Sequence, residues 1–132
     1  MKKVLLSLLT LLFAVGFSAA QEDGAKLAKS AGKALTSYNI DPVGNSAKLA
    51  EAKDKIEKAL ALPDGQIIAS AWLTKGDVYN TLLQKDMARR MIDAKAPLTG
   101  DNDALAAFDA YKKANFIAIN TACCVYSGES IF

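Results

Sequence analysis

The segment from Gln66 to Leu83 places Trp72, Gly76 and Tyr79 at spacings of four and three residues. Residues at these spacings share one side of an α-helix. A glycine or an alanine on such a side lets a second helix approach, and the neighbouring aromatic rings fill the space between the two helices. The segment therefore predicts a helix that packs closely against a partner helix.

Three further segments show the same helical periodicity. They extend from Gln21 to Asn39, from Ala47 to Leu62 and from Ala104 to about Asn115, while the helix that begins near Gln66 is expected to persist toward Met91. Their apolar positions are Leu27, Ala31, Ala34, Leu35 and Tyr38 in the first, Leu49, Ala52, Ile56, Ala59 and Leu60 in the second, and Leu105, Ala107, Phe108, Tyr111 and Ala114 in the last. Apart from a hint in the C-terminal tail, no stretch alternates with a period of two. The predicted fold class is all-α.

Several local signals mark the ends and the surfaces of these helices. On the second helix, Glu51 with Lys55 and Asp54 with Lys58 are acid-before-base pairs at a spacing of four, which are expected on a solvated face. The sequence Pro63-Asp64-Gly65 is expected to stop the second helix and turn the chain, and Asp101 or Asp103 is expected to cap the last helix. Gly32 lies in the middle of the first helix, where glycine costs about 1 kcal/mol relative to alanine. A close helix contact is the expected reason for this glycine.

Charge and composition exclude several classes of function. The sequence contains no histidine, which excludes a histidine-based catalytic triad and a histidine metal site. Lys2 and Lys3 lie in a leader that is expected to be cleaved off. Without them, 14 of the 16 basic residues remain, which equals the number of acidic residues, 14. A neutral and finely mixed charge gives no support for binding nucleic acid or anionic lipid. We therefore expect a protein that is not an enzyme, with no catalytic, cofactor-binding or metal-binding residues.

Residues 1–20 are typical of a secretory signal peptide. Lys2 and Lys3 form a short positive region, an apolar run follows, and small residues precede the expected cleavage between Ala20 and Gln21. The apolar run is shorter than the ~20 residues that span a bilayer, so a stable membrane anchor is not expected after cleavage. The predicted location is outside the cytoplasm, either periplasmic or secreted from a bacterium.

The helix beginning near Gln66 resembles the first helix of the tetratricopeptide repeat. That helix follows the pattern W-x2-L-G-x2-Y. Trp72, Gly76 and Tyr79 match it, with Lys75 in place of the leucine. The second helix of the repeat carries alanine, then an aromatic residue four positions later, then alanine three positions further on. The matching residues are Ala107, Tyr111 and Ala114, and a weaker copy in the earlier hairpin is Ala52, Ile56 and Ala59.

The resemblance covers about Lys26 to Asn115 and implies two antiparallel helix hairpins, about 24–62 and 66–115, within a helical domain of residues 21–115. Stacked hairpins would form a short α-solenoid, and a four-helix bundle is the alternative. The linker from Gln84 to Asp103 is longer than the turn of a standard 34-residue repeat. This departure leaves both architectures open.

What the resemblance implies about function is an exported scaffold or adaptor that binds an unknown protein or peptide. In the family, polar residues on the first helix of each repeat hold the ligand. The corresponding candidates here are Lys75, Asp77 and Asn80. With two hairpins instead of the three repeats that a stable array usually needs, self-association is also expected.

Residues 116–132 form an apolar tail whose only charged residue is Glu129. Adjacent Cys123 and Cys124 are poorly placed to bond to each other, and no nearby cation favours a reactive thiolate. Because repeat arrays normally end in a polar capping helix, we consider a truncated or non-native tail. The apolar tail also suggests an alternative to the scaffold or adaptor function. In this alternative the chain is a structural subunit or fragment of a larger helical assembly and docks through the tail.

Overall fold

The computed structural model describes residues 23–97 and 100–127, with the side chains of residue 101 and residues 123–127 excepted. The predicted leader lies outside this range. Five helices follow in order: α1 Gly24–Ile40, α2 Ser46–Ala61, α3 Pro63–Gln66, α4 Ala69–Ile92 and α5 Asp101–Ser127. No strand occurs in the described part of the chain, so the prediction of an all-α fold is confirmed.

Helices α1 and α2 form an antiparallel hairpin. Asp23 caps α1 because its carboxylate accepts hydrogen bonds from the backbone N–H groups of Ala25 at 2.9 Å and Lys26 at 3.3 Å. The Lys26 backbone bond is the main reason why the pKa of Asp23 lies below its usual value. At the other end of the hairpin, the Asn45 side-chain amide donates to the Ser37 carbonyl at 3.0 Å.

The solvent face of α2 carries the ion pairs that its charge pattern predicts. Lys55 lies 2.6 Å from Glu51, and Lys58 lies 2.9 Å from Asp54, which confirms both pairs at a spacing of four. Glu51 also accepts from Lys48 at 2.7 Å. Hydrogen bonds from Lys48 and then from Lys55 lower the pKa of Glu51 to about 2.

The core consists of two clusters that join α1, α2 and α4. The first contains Ala28, Ala31, Ile56, Ala59, Leu60 and Ala71, against which Leu27, Ile68 and Trp72 pack. The second contains Ala34, Leu35, Tyr38, Leu49, Ala52 and Val78, against which Tyr79 and Leu82 pack. The early part of α1 therefore meets the early part of α4, and the two helices run in the same direction. Alanines at most of these contacts let the helix axes approach closely.

The turn between the hairpins contains a short helix in place of a simple turn. Helix α2 ends at Ala61 as Pro63-Asp64-Gly65 predicts, but Pro63 then opens the single turn α3. Asp64 accepts from the Gly24 backbone N–H at 2.7 Å, which fixes α3 to the start of α1. A Cβ on Gly24 would lie 2.7 Å from the Gly65 nitrogen, so the two backbones meet where only glycine fits.

Helices α4 and α5 form the second antiparallel hairpin. Asp86 is buried on α4 and accepts from Arg89 at 2.7 Å, and Arg89 also donates to the Pro97 carbonyl at 2.9 Å. These bonds connect the end of α4 to the loop that leads into α5.

Helix α5 differs from its prediction at both ends. It begins at Asp101, and the Gly100 carbonyl accepts from the Ala104 N–H at 3.0 Å, so Gly100 takes the position expected for Asp101 or Asp103. Its other end is Ser127, well beyond the predicted end near Asn115. The sequence contains neither glycine nor proline between Asp101 and Ser127, so neither of the two residues that are least favourable in a helix interrupts α5.

The apolar residues named for the last helix fall on different sides of it: Leu105 and Phe108 are 65% and 66% exposed, whereas Ala107 and Ala114 are buried. The prediction for Gly32 is wrong. Gly32 was expected at a close helix contact. The nearest atom to a Cβ placed on it would be Thr74 Oγ1, at 4.0 Å, so no tight packing requires this glycine.

Candidate binding groove

An open groove of about 850 Å³ runs between the parallel helices α1 and α4. We call it the α1/α4 groove. Its walls are Ala25, Ala28, Lys29, Gly32, Lys33, Thr36 and Ser37 on the α1 side, and Ile68, Ser70 and Thr74 on the α4 side. Small residues dominate this list, so few side-chain atoms fill the space between the two helices.

Gly32 lies midway along the α1 wall. Because a Cβ there would have no neighbour closer than 4.0 Å, the absent side chain leaves empty space in the groove and not a contact between helices. A bound chain can approach the backbone of α1 at this point more closely than at any residue with a side chain.

The charge of the groove is positive. Lys29 and Lys33 are exposed on its rim, and none of its lining residues is acidic. Neither lysine forms an ion pair with another residue that the structure describes, whereas Lys48, Lys55 and Lys75 all do. The two ammonium groups stand one helical turn apart and are available to a negatively charged ligand.

The hydroxyl groups of the groove are arranged as hydrogen-bond acceptors. Thr36 and Ser37 donate to the carbonyls of Gly32 and Lys33 at 3.0 and 3.1 Å. Thr74 donates to the carbonyl of Ser70 at 2.9 Å. Since the hydroxyl protons of Thr36, Ser37 and Thr74 are already used within their own helices, the oxygen lone pairs of these three residues remain for N–H donors. An extended peptide backbone supplies such donors.

A second depression of about 700 Å³ continues from the groove around the start of α4. Ile68 and Ser70 line both spaces, so the two are adjacent. The remaining walls are Ile67, Ala69, Ile117, Ala118, Thr121 and Ala122. No charged residue lines this depression, which therefore suits an apolar side chain.

The three residues that the family resemblance offers as ligand contacts lie elsewhere on α4. Lys75 is 19% exposed in its side chain and pairs with Glu57 of α2 at 3.0 Å. Asp77 accepts a hydrogen bond from the Tyr111 hydroxyl of α5 at 2.8 Å. Asn80 is half-buried. None of the three lines the α1/α4 groove, because the groove side of α4 is formed by Ser70 and Thr74.

The residues of the repeat pattern lie between helices. A Cβ on Gly76 would be 2.5 Å from Cε1 of the Tyr111 ring, so α4 and α5 are in close contact there. The Trp72 indole donates to the Gln66 carbonyl at 2.8 Å. Ala52, Ile56 and Ala59 are fully buried at 0% exposure, and Ala107 and Ala114 are buried at 6% and 8%.

Two tyrosines connect α4 to its neighbours through carboxylates. The Tyr79 hydroxyl donates to Glu57 at 2.7 Å. Burial, followed by the hydrogen bond to Glu57, raises the pKa of Tyr79 far above its ordinary value. Burial, followed by the hydrogen bond to Asp77, raises the pKa of Tyr111 to about 12. Both hydroxyls stay protonated at neutral pH and act as structural donors.

Sequence reasoning did not find Lys29, Gly32 and Lys33 as site residues. Lysines on a helix surface carry no signal that separates a groove rim from ordinary solvated surface. Gly32 did carry a signal, because a glycine within a helix marks a position where a ligand or another backbone can approach the helix backbone closely. Cys123 and Cys124 lie outside the described side chains.

The described residues contain no group of histidine, cysteine, aspartate or glutamate side chains that could hold a metal ion. None of the helices within residues 23–97 and 100–127 is long and apolar enough to cross a membrane. Comparisons of the chain with protein-family models, with curated proteins and with solved structures produced no match.

Proposed function

We propose that this chain is an exported, non-enzymatic binding module that holds an extended peptide segment of a partner protein in the α1/α4 groove. The observation that carries the proposal is Gly32, which lines the groove at a position where an added Cβ would meet only Thr74 Oγ1, at 4.0 Å, so that no close contact within the fold requires glycine. The stacked hairpins would then act in the manner of a short tetratricopeptide-like scaffold.

Glycine in the middle of an exposed helix costs about 1 kcal/mol relative to alanine. Proteins commonly keep a stability cost of this size where function needs it. A ligand backbone lying against α1 supplies such a need, because a side chain at residue 32 would occupy the space that the ligand fills.

The groove also defines the chemistry of its ligand. Lys29 and Lys33 favour acidic side chains or a terminal carboxylate. The hydroxyl oxygens of Thr36, Ser37 and Thr74 accept from backbone N–H groups. The adjacent depression at Ile67 and Ile117 takes an apolar side chain. The expected ligand is therefore an extended segment with one apolar residue close to acidic residues.

The test is a selection from a random peptide library on immobilised protein of residues 21–132. We expect enrichment of aspartate, glutamate and one apolar residue. Selected peptides should bind the Gly32→Leu variant and the Lys29→Ala/Lys33→Ala double variant at least about tenfold more weakly by fluorescence anisotropy. The matched control is Lys85→Ala, since Lys85 is exposed on α4 and does not line the groove.

Two results would overturn the groove as the binding site. Peptides that bind equally well after Gly32→Leu must bind elsewhere. A set of selected peptides without acidic residues would contradict the role assigned to the two lysines. Variants of Lys75, Asp77 and Asn80 in the same assay compare the groove with the surface that the family resemblance suggests.

Export is tested separately, by cell fractionation and by the intact mass of the protein purified from its own cells. A mass that corresponds to Gln21–Phe132 supports removal of the leader. A cytoplasmic protein that retains residue 1 would contradict export and would leave the groove proposal unaffected.

A second candidate function is a structural subunit that docks through the apolar tail. Phe116 and Ile119 are 61% and 59% exposed near the end of α5, which favours this alternative. The double variant Phe116→Asp/Ile119→Asp, whose two residues do not line the groove or the depression, should then abolish assembly while peptide binding in the groove persists. Loss of peptide binding together with assembly would argue against two separate surfaces.

A further inference from the structure

The two ends of the α1/α4 groove differ in their chemistry. At one end, Ser70 belongs to the wall that the groove shares with the apolar depression. At the other end, Thr36 and Ser37 line the groove with hydroxyl groups. Lys29 and Lys33 lie between these ends, on the rim. A ligand that fills the groove therefore meets an apolar space, then two lysines, then hydroxyl groups.

The contact opposite Gly32 gives the level of each residue along the groove. A Cβ on Gly32 would have Thr74 Oγ1 as its nearest neighbour, so these two residues lie at the same level of the parallel helices. Ser70 precedes Thr74 by four residues, or about 6 Å. Lys29 precedes Gly32 by three residues, or about 4.5 Å, so it lies within about 2 Å of the level of Ser70. Lys33 is about 6 Å further along, so Lys29 is the lysine nearer to the depression.

The separation of the two lysines matches alternate residues of an extended chain. Lys29 and Lys33 are four residues apart on α1, which is about 6 Å along the helix axis. In an extended segment, residues i and i+2 are about 6.7 Å apart and their side chains point to the same side. Residues i and i+1 point to opposite sides, so only one of two adjacent acidic residues faces the rim. The two lysines therefore fit acidic residues at alternate positions.

Gly32 lies between the levels of Lys29 and Lys33. The ligand residue between the two acidic ones passes this point, and its side chain points away from the lysines because the sides alternate. Since residue 32 has no Cβ, the ligand backbone can lie close to α1 there. Both ligand carboxylates then remain within reach of the two ammonium groups.

A helical ligand would also place acidic residues about 6 Å apart, at positions i and i+4. A helix uses its own backbone N–H groups, however, and leaves free only those of its first turn. An extended segment keeps N–H groups available along its length for the hydroxyl oxygens of Thr36, Ser37 and Thr74. The hydroxyl oxygens therefore favour an extended ligand, and the spacing of its acidic residues distinguishes the two cases.

The apolar depression lies outside the pair of lysines. Ile67 comes before the first residue of α4, and Ile117 forms the α5 wall of the same depression. The order along the surface is therefore depression, Lys29, Lys33. Packed helix axes are about 8–10 Å apart, so about three residues of extended chain cover the distance around the start of α4. A ligand residue between the two acidic ones does not reach the depression.

We propose that the α1/α4 groove selects an extended segment with two acidic residues at alternate positions and an apolar residue about three residues outside this pair. The acidic residue nearer to the apolar one pairs with Lys29, and the other pairs with Lys33. The apolar residue enters the depression. This inference rests on the proposed function, because it assigns the ligand sequence of the same groove. Recognition then depends on the spacing of the acidic residues as well as on their number.

The test compares fluorescein-labelled peptides of one composition, which have one leucine, two glutamates, serines elsewhere and neutral ends. In the first order, the leucine is three residues outside a pair of alternate glutamates. In the other orders, the glutamates are adjacent, are four residues apart, or flank the leucine. Each order is made in both chain directions. By fluorescence anisotropy, the first order should bind protein of residues 21–132 at least about tenfold more tightly than the others.

Double-mutant cycles test which glutamate meets which lysine. Glutamine replaces one peptide glutamate at a time, against Lys29→Ala or Lys33→Ala in the protein. The coupling should be about fivefold between Lys29 and the glutamate nearer to the leucine, and about fivefold between Lys33 and the other glutamate. The crossed couplings should stay below about twofold. The matched control is Lys26→Ala, since Lys26 is exposed on α1 and does not line the groove.

Several results would overturn this ligand pattern. They are equal binding of all orders, a preference for glutamates four residues apart, crossed couplings as large as the direct ones, or no binding of any order at about 1 mM protein. If library-selected peptides still bind and lose affinity in Gly32→Leu, the pattern is wrong and the groove remains the binding site. If selected peptides bind equally well after Gly32→Leu, the proposed function fails too. Circular dichroism at 222 nm confirms that each variant remains helical.

Discussion

The two glycines Gly32 and Gly76 predict opposite responses to the same substitution. Both lie inside helices, where alanine is intrinsically favoured over glycine by about 1 kcal/mol. At Gly32 the added Cβ meets nothing closer than 4.0 Å, so Gly32→Ala should raise the free energy of unfolding by about 1 kcal/mol.

At Gly76 the added Cβ would lie 2.5 to 2.8 Å from three atoms of the Tyr111 ring. The ring cannot simply move aside, because its hydroxyl donates to Asp77 at 2.8 Å. Overpacking of this kind costs typically 1–3 kcal/mol, so after the helix preference is included Gly76→Ala should lower the free energy of unfolding by about 1 kcal/mol.

The assay is urea unfolding followed by circular dichroism at 222 nm. With a denaturant slope near 1.5 kcal/mol per molar, the midpoint should rise by about 0.7 M for Gly32→Ala and fall by a similar amount for Gly76→Ala. In a Tyr111→Ala background the steric conflict is absent, and Gly76→Ala should become stabilising. Midpoints that move in the same direction for both single variants would refute the argument from helix contacts.

Three further predictions concern single side chains. The pKa of Glu51 is lowered to about 2, so the stability that its lysine pairs contribute is present above about pH 4.5 and is lost as the pH falls toward 2. Glu51→Gln should therefore make the unfolding midpoint less sensitive to acid over this range. The pKa of Tyr111 is raised to about 12, so the stability contributed by its hydrogen bond to Asp77 is complete below about pH 10 and is lost between pH 10 and 12. Tyr111→Phe should flatten the decline of the thermal midpoint over this range. An unchanged profile would contradict the bond to Asp77. Asp64→Ala leaves the Gly24 N–H without its 2.7 Å acceptor and should lower the free energy of unfolding by about 1 kcal/mol, whereas a neutral result in urea unfolding would show that α3 is not held to α1 by this bond.

The sequence predicted the type and number of the long helices well. Apolar residues at spacings of three and four selected α1, α2 and α4 with ends close to those observed, and the ion pairs of Glu51 and Asp54 followed from the same periodicity. Local interactions determine these features, because helix preference, breaking residues and pairs four residues apart all act within a short stretch of chain. The end of α5 at Ser127 also had a signal in the sequence, namely the absence of glycine and proline after Asp101.

The sequence alone did not determine how each helix is rotated about its own axis in the packed structure. On α5 the apolar residues occupy two opposite sides, and only the packing on α4 decides that Ala107 is buried while Phe108 remains in solvent. The same holds for the candidate groove, since Lys29 and Lys33 become a rim only because α4 lies parallel to α1. Periodicity identifies which residues share a side of a helix. Which side meets another helix depends on contacts between residues far apart in the chain, and only the tertiary structure contains them.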